Sequence, residues 1–144
     1  MPTIFKVFID TNVFVATRDK TDTTYEKAIK LTEILRKQKT KFYTSSDIIG
    51  ETLTVMSKKL GKTICKDWYE DFQKSDITEI FIDEFLHRET RKFFQRVKSK
   101  NISFIDCSSV VAMKANKIKT IFSFDAHFRN LGIKLVEDVL KNTN

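Results

Sequence analysis

The sequence contains few of the residues that make tight turns, with 3 glycines and a single proline among 144 residues. An all-β fold needs many such turns, and the phosphate-binding loops of dinucleotide and nucleoside triphosphate sites are rich in glycine, so this composition argues against all of them. The 2 cysteines, Cys65 and Cys107, lie far apart and match no metal or redox spacing. We interpret both as reduced thiols in the core of a cytosolic protein.

Long hydrophobic runs are also missing. The apolar stretch Ile4–Ile9 is interrupted by Lys6 and ends at Asp10, and nowhere do about 18 apolar residues run together. We therefore predict a soluble, cytoplasmic protein with no membrane partner. A chain of this length suits one domain better than two, so we predict a single domain over residues 1–144.

Charge of one sign predominates. Twenty-six basic residues against 19 acidic ones give a net charge of +7 and a pI near 9.4. This excess favours a polyanionic partner, with nucleic acid ahead of an anionic membrane. The alternative is that the basic surface serves solubility alone.

Apolar segments rich in β-branched and aromatic residues alternate with segments of helical period. The predicted strands are Ile4–Ile9, Lys41–Thr44, Ile77–Ile82, Thr120–Phe124 and, at the edge, Ile133–Val136. The predicted helices cover residues 25–35, 46–60, 64–72, 83–100 and 105–116. This alternation predicts an α/β fold, an α/β/α sandwich around a mostly parallel sheet of four or five strands.

Four acidic residues are predicted to meet where the strands of this sheet end. Asp10 and Asp125 directly follow the first and fourth strands, and Glu51 lies in the early turns of the helix after the second strand. Asp106 begins the helix that leads to the fourth strand, so it starts near the same edge. In open parallel sheets, ligands bind at the carboxyl ends of the strands.

Each of these carboxylates also has a purely structural explanation. Asp10 and Asp125 suit caps of the following helix or turn, and Asp106 suits a helix N-cap. Glu51 alone would be interpreted as a solvated helix residue. The coincidence of all four at one edge is harder to explain by capping than any single member is.

Four neighbouring carboxylates raise one another's pKa and need positive charge among them. No lysine or arginine lies within three residues of Asp106 or Glu51, which favours a bound cation. Oxygen ligands suit Mg²⁺ or Mn²⁺, whereas zinc prefers histidine or cysteine. We interpret His87 as a surface residue and do not count His127 as a ligand.

An acidic metal site on a basic protein suits phosphodiester hydrolysis. Without the four carboxylates the rest of the chain carries about +11, enough to hold phosphates that flank the cleaved bond. One alternative is a nucleic-acid-binding protein of the same fold that has lost catalysis. A phosphatase of the haloacid-dehalogenase type is disfavoured because Asn12 replaces its second aspartate, and a receiver-like signalling domain lacks its paired early acids and late lysine.

Three segments, "FIDTNVFV", "TSSDIIGETL" and "ISFIDCSSVVAMKANKIKTIFSFDAHF", resemble the PIN-domain ribonucleases, in particular the small VapC-type toxins of prokaryotic toxin-antitoxin systems. The resemblance covers roughly residues 6–136. It implies a PIN-like fold and a metal-dependent endoribonuclease acting on RNA with Mg²⁺ or Mn²⁺. It assigns the catalytic and metal-binding positions to Asp10, Glu51, Asp106 and Asp125.

The same resemblance implies supporting residues and partners. Asn12 and Ser123 match polar positions that orient ligands, water or substrate, and Ser45 or Ser46 matches a hydroxyl after the second strand, for which helix capping is an equal explanation. Members of the family pair as homodimers, and toxin members bind an antitoxin protein. Four aromatic residues offer either an interface or, more simply, core packing: Trp68, Phe72, Phe93 and Phe94.

Overall fold

The computed structural model describes residues 2–141 and contains five strands and seven α-helices within that range. The strands are β1 Lys6–Ile9, β2 Lys41–Ser45, β3 Thr78–Ile80, β4 Thr120–Phe122 and β5 Lys134–Leu135. The α-helices are α1 Thr11–Ala16, α2 Tyr25–Lys37, α3 Ser46–Leu60, α4 Lys62–Lys74, α5 Glu84–Arg96, α6 Phe104–Ala115 and α7 Val136–Lys141. A 3₁₀ helix, Ala126–Leu131, follows β4.

All five strands form one parallel sheet in the order β3-β2-β1-β4-β5. β1 lies at the centre and β3 and β5 at the edges. In β1, Val7, Phe8 and Ile9 are all buried, as expected for a strand covered on both faces. The predicted α/β/α fold with a central parallel sheet is confirmed, and the carboxyl ends of all five strands therefore meet at one edge.

Aromatic residues fill the space between the helices and the sheet. The buried Trp68 ring of α4 lies 5.1 Å from Phe14 of α1 and 5.5 Å from Phe72, measured between ring centroids. Phe93 also packs against the core, whereas Phe94 is 40% exposed and contacts Phe104. Core packing is thus the correct interpretation for three of the four aromatic residues named from the sequence.

Two predictions concern single side chains. Cys65 and Cys107 are both buried free thiols, as expected. His87 is half-buried at the surface, where its ring packs against Phe104 with 5.4 Å between the centroids. Across residues 2–141, none of the helices combines the length and apolar character needed to cross a bilayer.

Short helices are where the sequence prediction failed. The six-residue α1 follows β1 after one residue, and four consecutive apolar residues, 13–16, give it no polar face that would reveal a helical period. The 3₁₀ helix and α7 are equally short and were also missed. One long helix was also predicted with the wrong end: α5, predicted to reach Lys100, stops at Arg96, and Val97 adopts an extended backbone conformation.

Candidate functional site

Asp10 lies at the end of the central strand and directly before α1. Its backbone N–H donates to the Phe122 carbonyl oxygen of β4 at 3.0 Å, so the hydrogen bonding of β1 with β4 continues to this residue. The side chain is 5% exposed. Its Oδ1 accepts from the Thr11 backbone N–H at 2.9 Å, and its Oδ2 accepts from the Ser123 hydroxyl at 2.7 Å. Asp10 is therefore the N-cap of α1 as well as a buried carboxylate at the sheet edge.

Ser123 links the residues that follow β1 to the residues that follow β4. Its hydroxyl donates to Asp10 and accepts from the Asn12 side-chain amide at 3.3 Å and from the Asp125 backbone N–H at 3.1 Å. The side-chain Oδ1 of Asn12 in turn accepts from the Phe124 backbone N–H at 3.3 Å. These bonds hold the segment after β4 against the start of α1, so Asn12 and Ser123 fix the position of Asp125 relative to Asp10.

Asp106 occupies the third residue of α6 rather than its N-cap. Ser103 is the N-cap, and its hydroxyl accepts from the Asp106 backbone N–H at 3.1 Å. The Asp106 Oδ2 accepts from the Ser103 backbone N–H at 2.9 Å, which completes a capping box. The N-cap alternative for Asp106 is thus wrong by three residues, and among residues 2–141 the Asp106 Oδ1 has no hydrogen-bond partner.

Asp106, Asp125 and His127 form a compact group of donors. One ligand atom from each lies within 4.8 Å of the other two. Asp125 is exposed, and among residues 2–141 its carboxylate has no hydrogen-bond or ion-pair partner. The His127 Nε2 lies 3.1 Å from the Asp106 Oδ2 yet is a buried nitrogen without a properly directed hydrogen bond.

Burial raises the pKa of Asp10 to about 7, against an ordinary value of 3.8. The hydrogen bonds from Ser123 and Thr11 lower this pKa, while the charges of Asp106 and Asp125 raise it further. In the part of the chain that the structure describes, no lysine or arginine forms an ion pair with these three aspartates. The site thus concentrates negative charge without a lysine or arginine side chain to balance it.

Glu51 does not join this group in the structure. It lies in the second turn of α3 and is half-exposed, and its carboxylate makes no hydrogen bond or ion pair with residues 2–141. It is also absent from the charges that act on Asp10. The predicted metal-ligand role of Glu51 therefore stays a prediction, whereas Asp10, Asp106 and Asp125 lie close together.

Ser45 and Ser46 have separate structural roles. Ser45 is fully buried at the end of β2, and its hydroxyl caps α3 by accepting from the Ile48 backbone N–H at 3.2 Å. The Ser46 hydroxyl accepts from the Ile82 backbone N–H at 2.8 Å, which ties α3 to the chain after β3. The capping explanation offered for Ser45 matches this geometry, and its supporting role in the site stays a prediction.

Sequence reasoning missed two groups at this edge. The Asp47 Oδ2 accepts from the Ser108 hydroxyl of α6 at 2.7 Å, so α3 is attached to α6 two residues beyond Asp106. In the sequence, Asp47 resembles an ordinary acidic residue in the first turn of a helix. His127 was discounted because no second histidine stands at a ligand spacing. Its closeness in sequence to Asp125 was the only signal available.

The donor set fits a divalent cation. Carboxylates from two different elements converge, no lysine or arginine balances them within the described residues, and a buried imidazole nitrogen lacks a partner. A cation among Asp106, Asp125 and His127 would satisfy that nitrogen and reduce the repulsion among the carboxylates. Oxygen-rich sites of this kind favour Mg²⁺ or Mn²⁺.

A groove with two basic side chains in its wall, called the basic groove below, has a volume of about 370 Å³. It lies between the end of α5, the segment 97–102 and the 3₁₀ helix, and Arg96 and Lys98 line it without an ion pair among the described residues. Asn130 in its wall follows His127 by three residues, one turn of a 3₁₀ helix, so both lie on the same side. Ile102, also in the wall, directly precedes the Ser103 cap. Arg96 and Lys98 thus lie in a groove whose wall also contains near neighbours in sequence of Asp106 and His127.

Comparisons with known proteins agree with this geometry. The family model of the PIN domain matches residues 7–134. The chain superposes on VapC20 from Mycobacterium tuberculosis, described as a sarcin-ricin loop cleaving toxin, with a TM-score of 0.80 and 21% identity, covering 88% of this chain and 95% of that one. At these identities the similarity to solved structures establishes the fold. Among curated proteins, no sequence matches this chain.

Two further solved structures are similar over most of their length. VapBC2 from Rickettsia felis, described as bound to a DNA fragment from its promoter, has a TM-score of 0.63 at 19% identity, covering 91% of this chain and 97% of that one. FitAcB from Neisseria gonorrhoeae has a TM-score of 0.62 at 16% identity, covering 90% and 95%. The fold is therefore shared along nearly the whole chain.

Proposed function

Because the chain belongs to the PIN domain family, we propose that residues 1–144 form a single nuclease domain that hydrolyses RNA phosphodiester bonds with a divalent metal ion. The observation that carries this proposal is the meeting of Asp10, Asp106 and Asp125 at one sheet edge with no lysine or arginine partner among the described residues. Such a group is costly to assemble in a protein that does not use it.

Asp106 and Asp125 are the proposed metal ligands at the surface of the site, with the buried Asp10 behind them. Glu51, whose carboxylate makes no hydrogen bond or ion pair within residues 2–141, is proposed as the fourth acidic group. A bound Mg²⁺ or Mn²⁺ would lower the pKa of an attacking water and neutralise negative charge on the phosphate and the leaving oxygen. Ser123 and Asn12 hold Asp125 in place through the hydrogen bonds described above. In this proposal the protein positions the carboxylates at a place where no lysine or arginine of the described residues competes with the metal ion for them.

The purified wild-type chain is expected to cleave a labelled RNA in Mg²⁺ or Mn²⁺ and to lose this activity in excess chelator. Cleavage should return when the ion is restored and should disappear in the Asp125→Asn variant, because that carboxylate has no other partner among residues 2–141. Gel analysis of RNA and of matched DNA measures both activity and substrate class. Binding of RNA without metal-dependent cleavage would support the catalytically silent alternative.

RNA is proposed to follow the basic groove away from the metal site. Replacing Arg96 and Lys98 together by alanine is expected to raise the Kd or KM for RNA about 10-fold and to reduce the salt dependence of binding, with kcat little changed. Each cation is free of an ion pair among the described residues, so each is available to a phosphate.

The matched control removes the same amount of charge, one arginine and one lysine, from α5. Arg88 and Lys92 of α5 are already engaged, Arg88 with Glu84 at 2.8 Å and Lys92 with Glu89 at 3.5 Å. Their double alanine variant should change RNA affinity much less. Equal losses in the two double variants would mean that only net charge matters and that the groove has no specific role.

We also propose that the chain is the toxin of a toxin-antitoxin pair with an antitoxin protein as its partner, and that it pairs as a homodimer. The support is the family membership together with the similarity to VapC20, whose description names it a toxin. Growth arrest on expression of the wild-type chain, absent with an Asp106→Asn chain, tests the toxin role. Light scattering of the purified protein tests dimer formation.

A further inference from the structure

We infer that His127 is a nitrogen ligand of the metal ion, bound beside Asp106 and Asp125, and that it makes the site favour Mn²⁺ over Mg²⁺. This inference rests on the proposed metal-dependent function and adds the residue that sets the choice of ion. It also replaces the all-oxygen ligand set expected from the sequence.

The position of the ring is fixed by the fold. His127 is the second residue of the 3₁₀ helix that follows Asp125, and its ring packs against Phe128 with 4.8 Å between the centroids. Phe128 is fully buried, so the helix cannot easily turn the histidine elsewhere. The imidazole is therefore held with its Nε2 towards the α6 N-terminus, where Asp106 lies 3.1 Å away.

The competing explanation is a simple pair between a protonated imidazole and the Asp106 carboxylate. In that case the Nε2 hydrogen would point at the Oδ2, whereas the nitrogen lacks a properly directed hydrogen bond. A buried polar atom without a partner is unusual in a native protein and calls for a missing group such as an ion.

The spacing is that of two atoms bound to one ion. Ligands of Mg²⁺ or a first-row metal at about 2.1 Å, set at right angles, lie about 3 Å apart. The measured Nε2 to Oδ2 distance of 3.1 Å matches this value. The third donor, Asp125, lies within the same 4.8 Å group and has no partner of its own among the described residues. One cation thus satisfies three otherwise poorly partnered groups.

A nitrogen donor changes which ion binds best. Mg²⁺ prefers oxygen ligands and gains little from an imidazole, whereas affinity for nitrogen-containing sites rises from Mn²⁺ along the first-row series. We therefore expect the wild-type chain to bind Mn²⁺ at least about 10-fold more tightly than Mg²⁺. His127→Gln should weaken Mn²⁺ binding about 10- to 100-fold and change Mg²⁺ binding only a few-fold, so that most of the selectivity is lost.

Two measurements that do not depend on activity test this. Calorimetric titration of the metal-free protein gives both affinities, and pulsed electron paramagnetic resonance of the Mn²⁺-loaded wild type should show coupling to a ligand nitrogen. That coupling should be absent in His127→Gln. The control is His87→Gln, the same substitution at the other histidine, whose ring packs on Phe104. It should leave both affinities and the nitrogen coupling unchanged.

The outcomes separate this inference from the proposed nuclease activity. Absence of nitrogen coupling in the wild type, or equal losses of Mn²⁺ and Mg²⁺ affinity in His127→Gln, would overturn the ligand role even if RNA is cleaved. The same holds if the wild type binds no Mn²⁺. Nitrogen coupling that His127→Gln removes, in a protein that cleaves no RNA, would support the ligand role and overturn the nuclease proposal.

Discussion

Replacing Asp106 with asparagine is expected to reduce metal-dependent RNA cleavage by about 100- to 1000-fold, because a catalytic metal ion contributes several kcal/mol of transition-state stabilisation. The fold should be retained. An asparagine Oδ1 still accepts the Ser103 backbone N–H that Asp106 accepts at 2.9 Å, so the capping box loses charge but keeps its hydrogen bond. Cleavage assays and thermal unfolding of the metal-free proteins measure the two effects separately.

Ser103→Ala is the matched control for this experiment. It removes the hydroxyl that accepts from the Asp106 backbone N–H at 3.1 Å and leaves the carboxylate itself in place. Loss of an N-cap hydroxyl costs about 1 kcal/mol of stability, so this variant should unfold at a lower temperature and still cleave RNA. If Asp106→Asn instead unfolds much earlier than the wild type, Asp106 is mainly a structural residue.

The positions of these carboxylates could be predicted largely from topology. In a parallel sheet every strand ends at the same edge, so an acid soon after a strand lies near it, as do Asp10, directly after β1, and Asp125, three residues after β4. The position of Asp106 was predicted from the start of its helix: α6 leads into β4, which begins at the opposite edge, so α6 must begin near the carboxyl edge. These arguments need only the order of elements, which hydrophobic period gives well.

The distances between individual side chains at this edge could not be predicted from topology. Glu51 lies in the second turn of α3, and which way a helical residue points depends on the rotation of the helix, which the bond from Ser46 to the chain after β3 helps to set. His127 reaches Asp106 because a short 3₁₀ helix turns the chain at once after Asp125. Such a helix is too short to leave a periodic pattern in the sequence.

Asp10→Asn is expected to stabilise the metal-free protein at pH 8 and to have little effect near pH 4. The folded-state pKa of Asp10 is about 7, against 3.8 for an ordinary aspartate, so the folded state holds the proton more tightly. As pH rises from about 4 to 7, the unfolded chain ionises first, and the wild type loses up to about 4 kcal/mol of stability through this group. Above pH 7 the loss is complete.

An asparagine carries no charge and avoids this loss. Its oxygen can accept from the Thr11 backbone N–H, but the Ser123 hydroxyl, which donates to the Asp10 Oδ2 at 2.7 Å, must turn to find another acceptor. After about 1 kcal/mol for that bond, a net gain of about 2–3 kcal/mol remains at pH 8. Thermal unfolding in chelator at pH 4, 6 and 8 measures it. A wild type as stable as the variant at pH 8 would show that Asp10 is not held mostly protonated below pH 7.

A second aspartate tests the same principle with the opposite sign. The pKa of Asp19 is lowered, chiefly by the Thr21 hydroxyl that donates to it at 2.6 Å, and Lys59 lies 3.5 Å away. Its ionised form therefore stabilises the fold, and Asp19→Asn should destabilise the protein at pH 8 and progressively less as the pH falls through the range where aspartate protonates.

Added Mn²⁺ should raise the unfolding temperature of both the wild type and Asp19→Asn, yet raise that of Asp10→Asn less. We expect the charge at Asp10, unfavourable in the metal-free protein, to become favourable when a cation shares the site. That reversal would distinguish a carboxylate used for metal binding from one used for stability.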